Sequence, residues 1–288
     1  MKPPAGPGSS APNFLYIGAD KSGSSWLHHV LWQHPEVFVP QCKDLYYFDR
    51  YYERGWDWYA SYFSAVDGEH AIGELSHDYM YSTQALERIQ HDLPEVKLVA
   101  CLREPASRSF SQYLYMVHNG LTSLPFAEAL QQFPELVEHS LYHKHLAPYF
   151  EAFGPEAILL LDFGQISAAP HQICSQLFRF LGVADDVDVA VDQRVRGASR
   201  ARSRVVARIV KWAASRVRDA GFAHLVGRLR DSGRLSSVLY QSYGDKKPQA
   251  PVEAMAALRP VFDEDQARLE HLVGRRFDQQ TGALHAQK

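Results

Sequence analysis

The chain has 288 residues, of which 46% are hydrophobic and 22% are charged, and its formal net charge is −3. This length suits one large α/β domain, and the composition is that of an ordinary globular protein. A net charge so close to zero excludes binding of nucleic acid through bulk charge.

The cysteines and the absence of a long apolar run indicate the cellular compartment of the protein. Cys42, Cys101 and Cys174 are odd in number and widely spaced, which is typical of free thiols in a reducing compartment. Residues 1–12 are rich in Pro, Gly and Ser, and no run of 18 apolar residues occurs that could span a membrane. We therefore expect a soluble, cytoplasmic protein with a flexible tail at 1–12 and one domain over 13–288.

Three short apolar runs, at 14–17, 96–102 and 157–161, predict buried parallel strands. Each precedes a polar or Gly-rich turn and then a helical pattern. This alternation predicts an α/β fold, a three-layer αβα sandwich with a central parallel sheet. The predicted helices cover 25–33, 82–92, 107–119, 126–130, 141–153, 170–181, 202–217 and 251–273.

The first predicted strand leads directly into a Gly/Ser-rich turn that precedes a helix, an arrangement whose backbone N–H groups bind phosphate. Gly18 and Gly23 have the four-residue gap of a Walker A loop. However, Ser24 occupies the position of the Walker lysine, and Lys21 lies two residues before Gly23. The spacing indicates a phosphate compound, with its cation placed differently from that of an ATPase or kinase.

The run KSGSSWL at 21–27 resembles the 5′-phosphosulfate loop of sulfotransferases that use 3′-phosphoadenosine-5′-phosphosulfate (PAPS). The resemblance implies the P-loop NTPase-like sulfotransferase fold and a reaction without metal. It also implies that Lys21 contacts the oxygen that bridges phosphate and sulfate and stabilises charge on the leaving phosphate. The alternative is a helix-capping turn with a solvated Lys21. The predicted donor-binding residues of this loop are Lys21, Ser22, Gly23, Ser24, Ser25 and Trp26.

A second signature follows the second predicted strand. The run LREP at 102–105, with Arg108 and Ser111, resembles the 3′-phosphate signature LRDPxxRxxSxY of the same family, with Glu104 in place of Asp. The resemblance implies that Arg103 and Ser111 bind the 3′-phosphate and that Arg108 is structural. The alternative is a surface arginine and an ordinary helical serine.

The candidate general base comes from a third segment. KDLYYFD at 43–49 resembles the family segment KExxFFD, which implies that Asp44 takes the acceptor's proton in place of a longer Glu. Alternatively, Asp44 pairs with a neighbouring cation and only shapes the acceptor cleft. Glu74 and His77 are the rival bases, within GELSHDY, which is similar to GEKSPxY. Leu75 replaces the lysine of that motif, which disfavours a heparin-like acceptor.

Residues 194–234 contain twelve Lys or Arg against two Asp, within a predicted basic helical insert at 194–244. Apolar residues at helical spacing predict an amphipathic basic helix over 202–217. Three interpretations stay open: a solvated helix, a nucleotide-covering loop through Arg200, or a surface for an anionic acceptor or a membrane.

We therefore predict a PAPS-dependent sulfotransferase that releases 3′,5′-ADP. Its acceptor is the hydroxyl or amine of a small molecule, a glycan or a lipid. Aromatic residues at 46–59 suit a sugar or a flat acceptor, and equally a core. The alternatives are a P-loop kinase and a non-catalytic nucleotide-binding protein of the same fold. The sequence does not indicate an oligomeric state.

Overall fold

The computed structural model describes residues 11–191, 199–201, 213, 240–242, 248–277 and 284–286. The chain forms two compact units. The first unit comprises Met1–Glu104, Leu141–Val195 and Asp263–Lys288, and the second comprises Pro105–Ser140 and Arg196–Phe262.

A parallel sheet forms the centre of the first unit. Its strands are β1 (Phe14–Gly18), β2 (Val37–Phe38), β3 (Ala71–Leu75), β4 (Lys97–Leu102) and β5 (Ile158–Asp162). They lie in the order β2-β3-β1-β4-β5, and each adjacent pair is parallel. The order changes direction between β1 and β4. In open parallel sheets, ligands bind beyond the carboxyl ends of the strands at such a switch point.

Helices follow the strands as the sequence predicts, so the α/β fold is confirmed. The helices are α1 (Ser24–Gln33), α2 (Trp56–Ala60), α3 (Thr83–Asp92), α4 (Pro105–His118), α5 (Phe126–Gln132), α6 (Glu135–Glu138), α7 (Tyr142–Phe153), α8 (Gln165–Ala168), α9 (Pro170–Leu181) and α10 (Val252–Val273). Single turns of 3₁₀ or π-helix cover Tyr47–Tyr51, Tyr52–Arg54, Ser61–Phe63, Tyr79–Tyr81 and Pro155–Ala157.

The predicted strands at 14–17, 96–102 and 157–161 correspond to β1, β4 and β5, whereas β3 was not predicted. Its sequence, AIGEL, carries Glu74 at its fourth position, and a carboxyl group argues against a strand buried on both faces. In the structure all five residues of β3 are buried. The short β2, which pairs with β3, was missed as well.

The core of the first unit lies between one face of the sheet and two helices. Apolar side chains from β1, β4 and β5 pack against α1 and α9. Phe178 of α9 is 1% exposed and makes an edge contact with the ring of His34, just after α1. This packing holds α1 and α9 together on one face of the sheet.

The second unit is organised around a buried arginine. Arg108 on α4 is 0% exposed. Its Nε donates to Ser140 Oγ at 2.6 Å and its Nη2 donates to the carbonyl of Leu136 at 2.8 Å. Ser140 Oγ in turn donates to the carbonyl of Pro105 at 2.9 Å. The guanidinium therefore joins the start of α4 to the end of α6.

Four further short strands form two antiparallel pairs. β6 (Ser199–Ala201) pairs with β7 (Tyr240–Ser242), and β8 (Arg275–Phe277) pairs with β9 (Leu284–Ala286). The predicted helix 202–217 lies outside the described residues except for position 213, and so does most of the insert 194–244. Within the described ranges, no helix has the length and apolar composition needed to cross a membrane.

Candidate active site

The predicted donor loop lies between β1 and α1, beside the switch point of the sheet. Gly23, the residue before α1, has φ 91°, and Lys21 has φ 61°. A Cβ at Gly23 would collide with Ile166 Cδ1, so the close neighbour and the left-handed backbone both favour glycine there. A left-handed lysine is uncommon and costs about 1–2 kcal/mol, a strain that is characteristic of ligand-binding loops.

Side chains within the loop hold its shape. Ser22 is fully buried and its hydroxyl donates to the carbonyl of Asp20 at 3.3 Å. Tyr81 donates to Asp20 Oδ1 at 2.9 Å. The indole Nε1 of Trp26 donates to the carbonyl of Val191 at 2.9 Å. Ser22 and Trp26 thus use these side-chain groups within the fold, and the backbone N–H of Trp26 also donates to the carbonyl of Gly23, at 2.9 Å.

Arg103 follows β4 and lies against this loop. Its Nη1 donates to the carbonyl of Lys21 at 3.3 Å, and its guanidinium lies 4.7 Å from the centre of the Phe163 ring. The Tyr142 hydroxyl donates to the Arg103 carbonyl at 2.7 Å, which fixes the backbone at this position. The structure therefore brings the Arg103 side chain against the backbone of Lys21, at the carboxyl ends of β4 and β1.

The remaining predicted donor residues lie in the second unit. Ser111 is half-buried on α4, two turns after its start. Arg200 lies in β6, paired with Gln241, and its side chain is outside the described residues. The roles of Ser111 and Arg200 stay predictions.

Asp44 and its neighbours form a buried cluster beside the donor loop. Lys43 Nζ donates to Asp44 Oδ1 at 2.9 Å and to Ser24 Oγ at 3.1 Å. His77 Nδ1 lies 2.8 Å from the same Asp44 oxygen. Asp44 has φ 66°, and its N–H donates to the carbonyl of Leu75 at 2.7 Å. Asp44 is thus, after Lys21, the second predicted functional side chain on a left-handed backbone.

The charge on Asp44 follows from these contacts. Burial raises the pKa of the Asp44 carboxyl, but the Lys43 ammonium and the His77 ring outweigh burial and hold that pKa well below its usual value. Asp44 is therefore ionised at neutral pH and accepts both hydrogen bonds. Because a carboxylate can only accept a hydrogen bond, His77 donates to Asp44 from its Nδ1–H group.

Glu74 occupies a different environment from Asp44, although both were candidate bases. It is 0% exposed and accepts hydrogen bonds from Tyr79 Oη at 2.6 Å and Ser76 Oγ at 2.7 Å. Burial raises the pKa of Glu74 to about 8. Ser76 Oγ also accepts from the N–H of Tyr46 at 3.0 Å. Glu74 therefore supports the segment that follows Asp44, from inside the sheet.

The aromatic residues at 46–59 divide into core and surface. Tyr47 and Tyr59 stack with their ring centres 4.3 Å apart, and both are buried. By contrast, the rings of Tyr51 and Trp58 are half-buried and make an edge contact with each other, and their centres lie 5.2 and 5.1 Å from the Arg54 guanidinium. Most of the aromatic signal thus comes from the core, and only its outer members remain candidates for acceptor contact.

Several supporting residues gave no signal in the sequence. Tyr81, Tyr142 and Phe163 position Asp20 and Arg103 from distant parts of the chain, and no local motif marks them. In the part of the chain that the structure describes, no group of three or more His, Cys, Asp or Glu side chains could hold a metal ion.

Comparison with known proteins gives several relatives. The membrane-associated sulfotransferase kil1 of Dictyostelium discoideum is 35% identical over 109 residues, which cover 37% of this chain and 23% of that protein. The human bifunctional heparan sulfate N-deacetylase/N-sulfotransferase 3 is 27% identical over 60% of this chain and 22% of its own length. The human heparan sulfate glucosamine 3-O-sulfotransferase 6 is 29% identical over 62% of this chain and 55% of its own length. The chain thus covers less than two thirds of each relative.

A solved structure and a family model cover more of the chain. The crystal structure of a sulfotransferase from Alicyclobacillus acidocaldarius superimposes with a TM-score of 0.70, covering 94% of this chain and 98% of that one at 22% identity, which shows a common fold. The model of the sulfotransferase domain matches residues 11–200, a stretch that includes the donor loop, the Asp44 cluster and Arg103. The chain therefore belongs to the sulfotransferase domain family.

Proposed function

We propose that this protein transfers a sulfuryl group from PAPS to a hydroxyl or amine of an acceptor. The observation that carries the proposal is the contact of the Arg103 guanidinium with the Lys21 carbonyl, which supports a donor site shared by the residue predicted for the 3′-phosphate and the loop predicted for the phosphosulfate. A donor with phosphate groups on the 3′- and 5′-oxygens of one ribose needs cations at two separate places. Arg103 serves the 3′-phosphate, and Lys21 serves the phosphosulfate.

The proposed step is a single in-line displacement. The acceptor's oxygen or nitrogen forms a bond to sulfur while the bond from sulfur to the 5′-phosphate oxygen breaks. The leaving group is 3′,5′-ADP, whose growing charge meets Lys21 and the N–H groups at the start of α1. The acceptor's proton goes to a base at the Asp44 cluster. Lys43 connects that cluster to the donor loop through Ser24, which supports placing both halves of the reaction here.

We assign removal of the proton to Asp44. Its contact with His77 supports a second candidate, in which Asp44 holds Nδ1 and the proton is taken by Nε2 of His77. Nε2 lies 3.4 Å from both the Tyr46 hydroxyl and Asp78 Oδ1, at the long end of the hydrogen-bond range. Glu74 is less suited than either, because it is buried inside the sheet.

The variant His77→Asn separates the two candidates. An Asn side chain retains an N–H group close to the position of Nδ1 but has no second ring nitrogen. If Asp44 takes the proton directly, turnover of His77→Asn should stay within about tenfold of the wild type. A loss as large as that of Asp44→Asn would assign the proton to His77.

The acceptor class is proposed more broadly. Two relatives are named for N- and 3-O-sulfation of heparan sulfate, which supports an amine or a hydroxyl on a sugar as the acceptor. Leu75, in place of the motif's lysine, is 1% exposed and gives no cation for an acidic sugar. A less anionic glycan, a small molecule or a lipid therefore suits the site better than heparin does.

The decisive experiment has two parts. Calorimetry should show binding of 3′,5′-ADP that Lys21→Ala and Arg103→Ala weaken. Transfer of ³⁵S from labelled PAPS should then be screened over neutral and acidic glycans, phenols, lipids and amines. Absence of 3′,5′-ADP binding to folded protein would contradict the proposal. Mg²⁺-dependent turnover of ATP would favour a kinase, and tight nucleotide binding without transfer would favour a non-catalytic protein.

We also propose a cytoplasmic location, which agrees with three free, buried cysteines. The name of the Dictyostelium relative, a membrane-associated sulfotransferase, makes the alternative worth testing. Sedimentation with vesicles containing phosphatidylserine, compared between full-length protein and a variant with the arginines of 202–217 replaced by glutamine, distinguishes the two. Sedimentation that depends on those arginines would indicate peripheral membrane contact.

A further inference from the structure

One buried ammonium group joins the two halves of the proposed site. Lys43 is 8% exposed, and its Nζ donates to Ser24 Oγ at 3.1 Å and to Asp44 Oδ1 at 2.9 Å. Ser24 is the first residue of α1 and belongs to the donor loop, whereas Asp44 belongs to the acceptor side. An ammonium group has three N–H donors and no acceptor, so both oxygens accept from it.

The contact with Ser24 determines how that hydroxyl group is used. Because the Ser24 oxygen accepts from Lys43, its own O–H points away from the ammonium and is available to another acceptor. Ser24 is half-buried, unlike the fully buried Ser22, and lies at the amino end of a ten-residue helix. A phosphate oxygen bound at this helix end is the acceptor that such a hydroxyl group suits.

The contact with Asp44 determines the charge on the acceptor side. Lys43 is one of the two groups that keep Asp44 ionised in spite of its burial. If the ammonium were removed, a buried carboxylate would lose its closest cation and favour protonation. The Lys43 side chain therefore orients the Ser24 hydroxyl group toward a phosphate oxygen of the sulfuryl donor. It also keeps the Asp44 carboxylate ionised on the side of the sulfuryl acceptor.

We propose that Lys43 is a positioning residue that links occupancy of the donor loop to the position and charge of the Asp44 carboxylate. This inference rests on the proposed function. In the linked arrangement, a phosphate oxygen accepts from Ser24, Ser24 accepts from Lys43, and Asp44 accepts from the same ammonium. Ser24 accepts one hydrogen bond and donates the next, so the bonds from Lys43 through Ser24 to the phosphate strengthen one another, and removal of either Ser24 Oγ or Lys43 Nζ breaks the same connection.

A double-mutant cycle tests the link without any knowledge of the acceptor. Calorimetry with 3′,5′-ADP is performed on the wild type, Ser24→Ala, Lys43→Met and the double variant. We expect each single change to weaken binding about tenfold and the double change to weaken it little further, because both break one chain. Additive losses, about a hundredfold in the double variant, or single losses under twofold, would overturn the role of Lys43.

Lys97→Met is the matched control. Lys97 lies at the amino end of β4, and its Nζ donates to the carbonyl of Leu181 at 3.1 Å. The change removes the same charge from the opposite edge of the same sheet, so 3′,5′-ADP affinity should change less than twofold. A tenfold loss in this control would mean that overall charge, and not the link, explains the Lys43 variants.

Turnover separates a positioning role from a merely structural one. With an acceptor identified in the ³⁵S screen, Lys43→Met should lower kcat about a hundredfold, and Lys43→Arg, which can still donate to both oxygens, should recover to within tenfold. Equal losses in Met and Arg variants that unfold at the wild-type temperature would contradict the proposal. If Lys43→Met does not fold, the same cycle is performed with Lys43→Arg. If the arginine keeps the link, Ser24→Ala should weaken 3′,5′-ADP binding about tenfold in the Lys43→Arg background as well; the loss of that effect would contradict the proposal.

Failure of this inference differs from failure of the proposed function. Wild-type protein that does not bind 3′,5′-ADP overturns both. Wild-type protein that binds 3′,5′-ADP and transfers sulfate, with additive variants, overturns only the link through Lys43.

Discussion

The donor loop and the Asp44 cluster lie side by side, but they are built in opposite ways. The loop is a run of consecutive residues whose shape follows from two left-handed backbone positions, and its predicted phosphate contacts come mostly from backbone N–H groups. The cluster depends on side chains far apart in the chain, since His77 lies 33 residues from Asp44 and Lys43 lies 19 residues from Ser24. A locally encoded site can be recognised from spacing, whereas an assembled one depends on the sheet.

The largest expected effect is that of a substitution in the Asp44 cluster. Asp44→Asn should lower turnover about 10²–10⁴-fold, because an amide cannot take the proton from the attacking hydroxyl or amine group. Asn tolerates the left-handed backbone that Asp44 adopts, so the fold should be retained. Calorimetry with 3′,5′-ADP provides the control, with affinity within a few fold of the wild type. Near-normal turnover would remove Asp44 from the reaction.

In the donor loop, Lys21→Met should lower turnover about 10²–10³-fold, because the variant has no ammonium group to stabilise the charge that develops on the leaving phosphate. Single-turnover transfer of ³⁵S from PAPS measures the chemical step directly. Lys21→Arg keeps the charge but changes its position, so it should recover only part of the rate. A variant that binds donor poorly yet reacts at the normal rate would instead limit Lys21 to binding.

A smaller effect is expected from the shape of the loop. Gly23→Ala should weaken 3′,5′-ADP binding about tenfold or more, because the added Cβ meets Ile166 and the backbone has φ 91°. Gly68→Ala is the matched control, since Gly68 has φ 92° and nothing lies within 4 Å of its added Cβ. Equal affinity in the two variants would show that the close approach to Ile166 does not matter.

The last prediction concerns the stability of the fold and not turnover or affinity, and it involves Glu74 of β3. The folded-state pKa of Glu74 is raised from 4.5 to about 8, so the folded chain holds its proton while the unfolded chain loses it between those values. Wild-type stability should therefore fall relative to Glu74→Gln as the pH rises from about 4.5 to 8, by at most about 1.4 kcal/mol per pH unit.

Urea unfolding of both proteins at pH 5 and pH 8 measures this difference. Glu87→Gln, the same change at an exposed position on α3, is the control. A stability difference between wild type and Glu74→Gln that does not vary with pH would show that Glu74 is ionised in the folded protein.

Much of the fold could be predicted because its signals are local. β1, β4 and β5 are short apolar runs, and the observed bounds of α1, α3, α4 and α7 lie within two residues of the predicted ones. β3 could not be found in the same way, because Glu74 interrupts its apolar pattern. Its carboxyl group is accommodated because burial favours its uncharged form and because Ser76 and Tyr79 hydrogen-bond to it.

By itself, the sequence determined the fold family and the turn between β1 and α1 that is predicted to bind the donor, since strand, turn and helix signals and one displaced lysine are properties of adjacent residues. The tertiary structure decided which carboxyl group is ionised and which is buried. Asp44 and Glu74 look alike in sequence, but one meets an ammonium group and an imidazole, and the other lies within the sheet. Solvation and charge at a side chain depend on the neighbours that folding brings to it, and local sequence does not specify those neighbours.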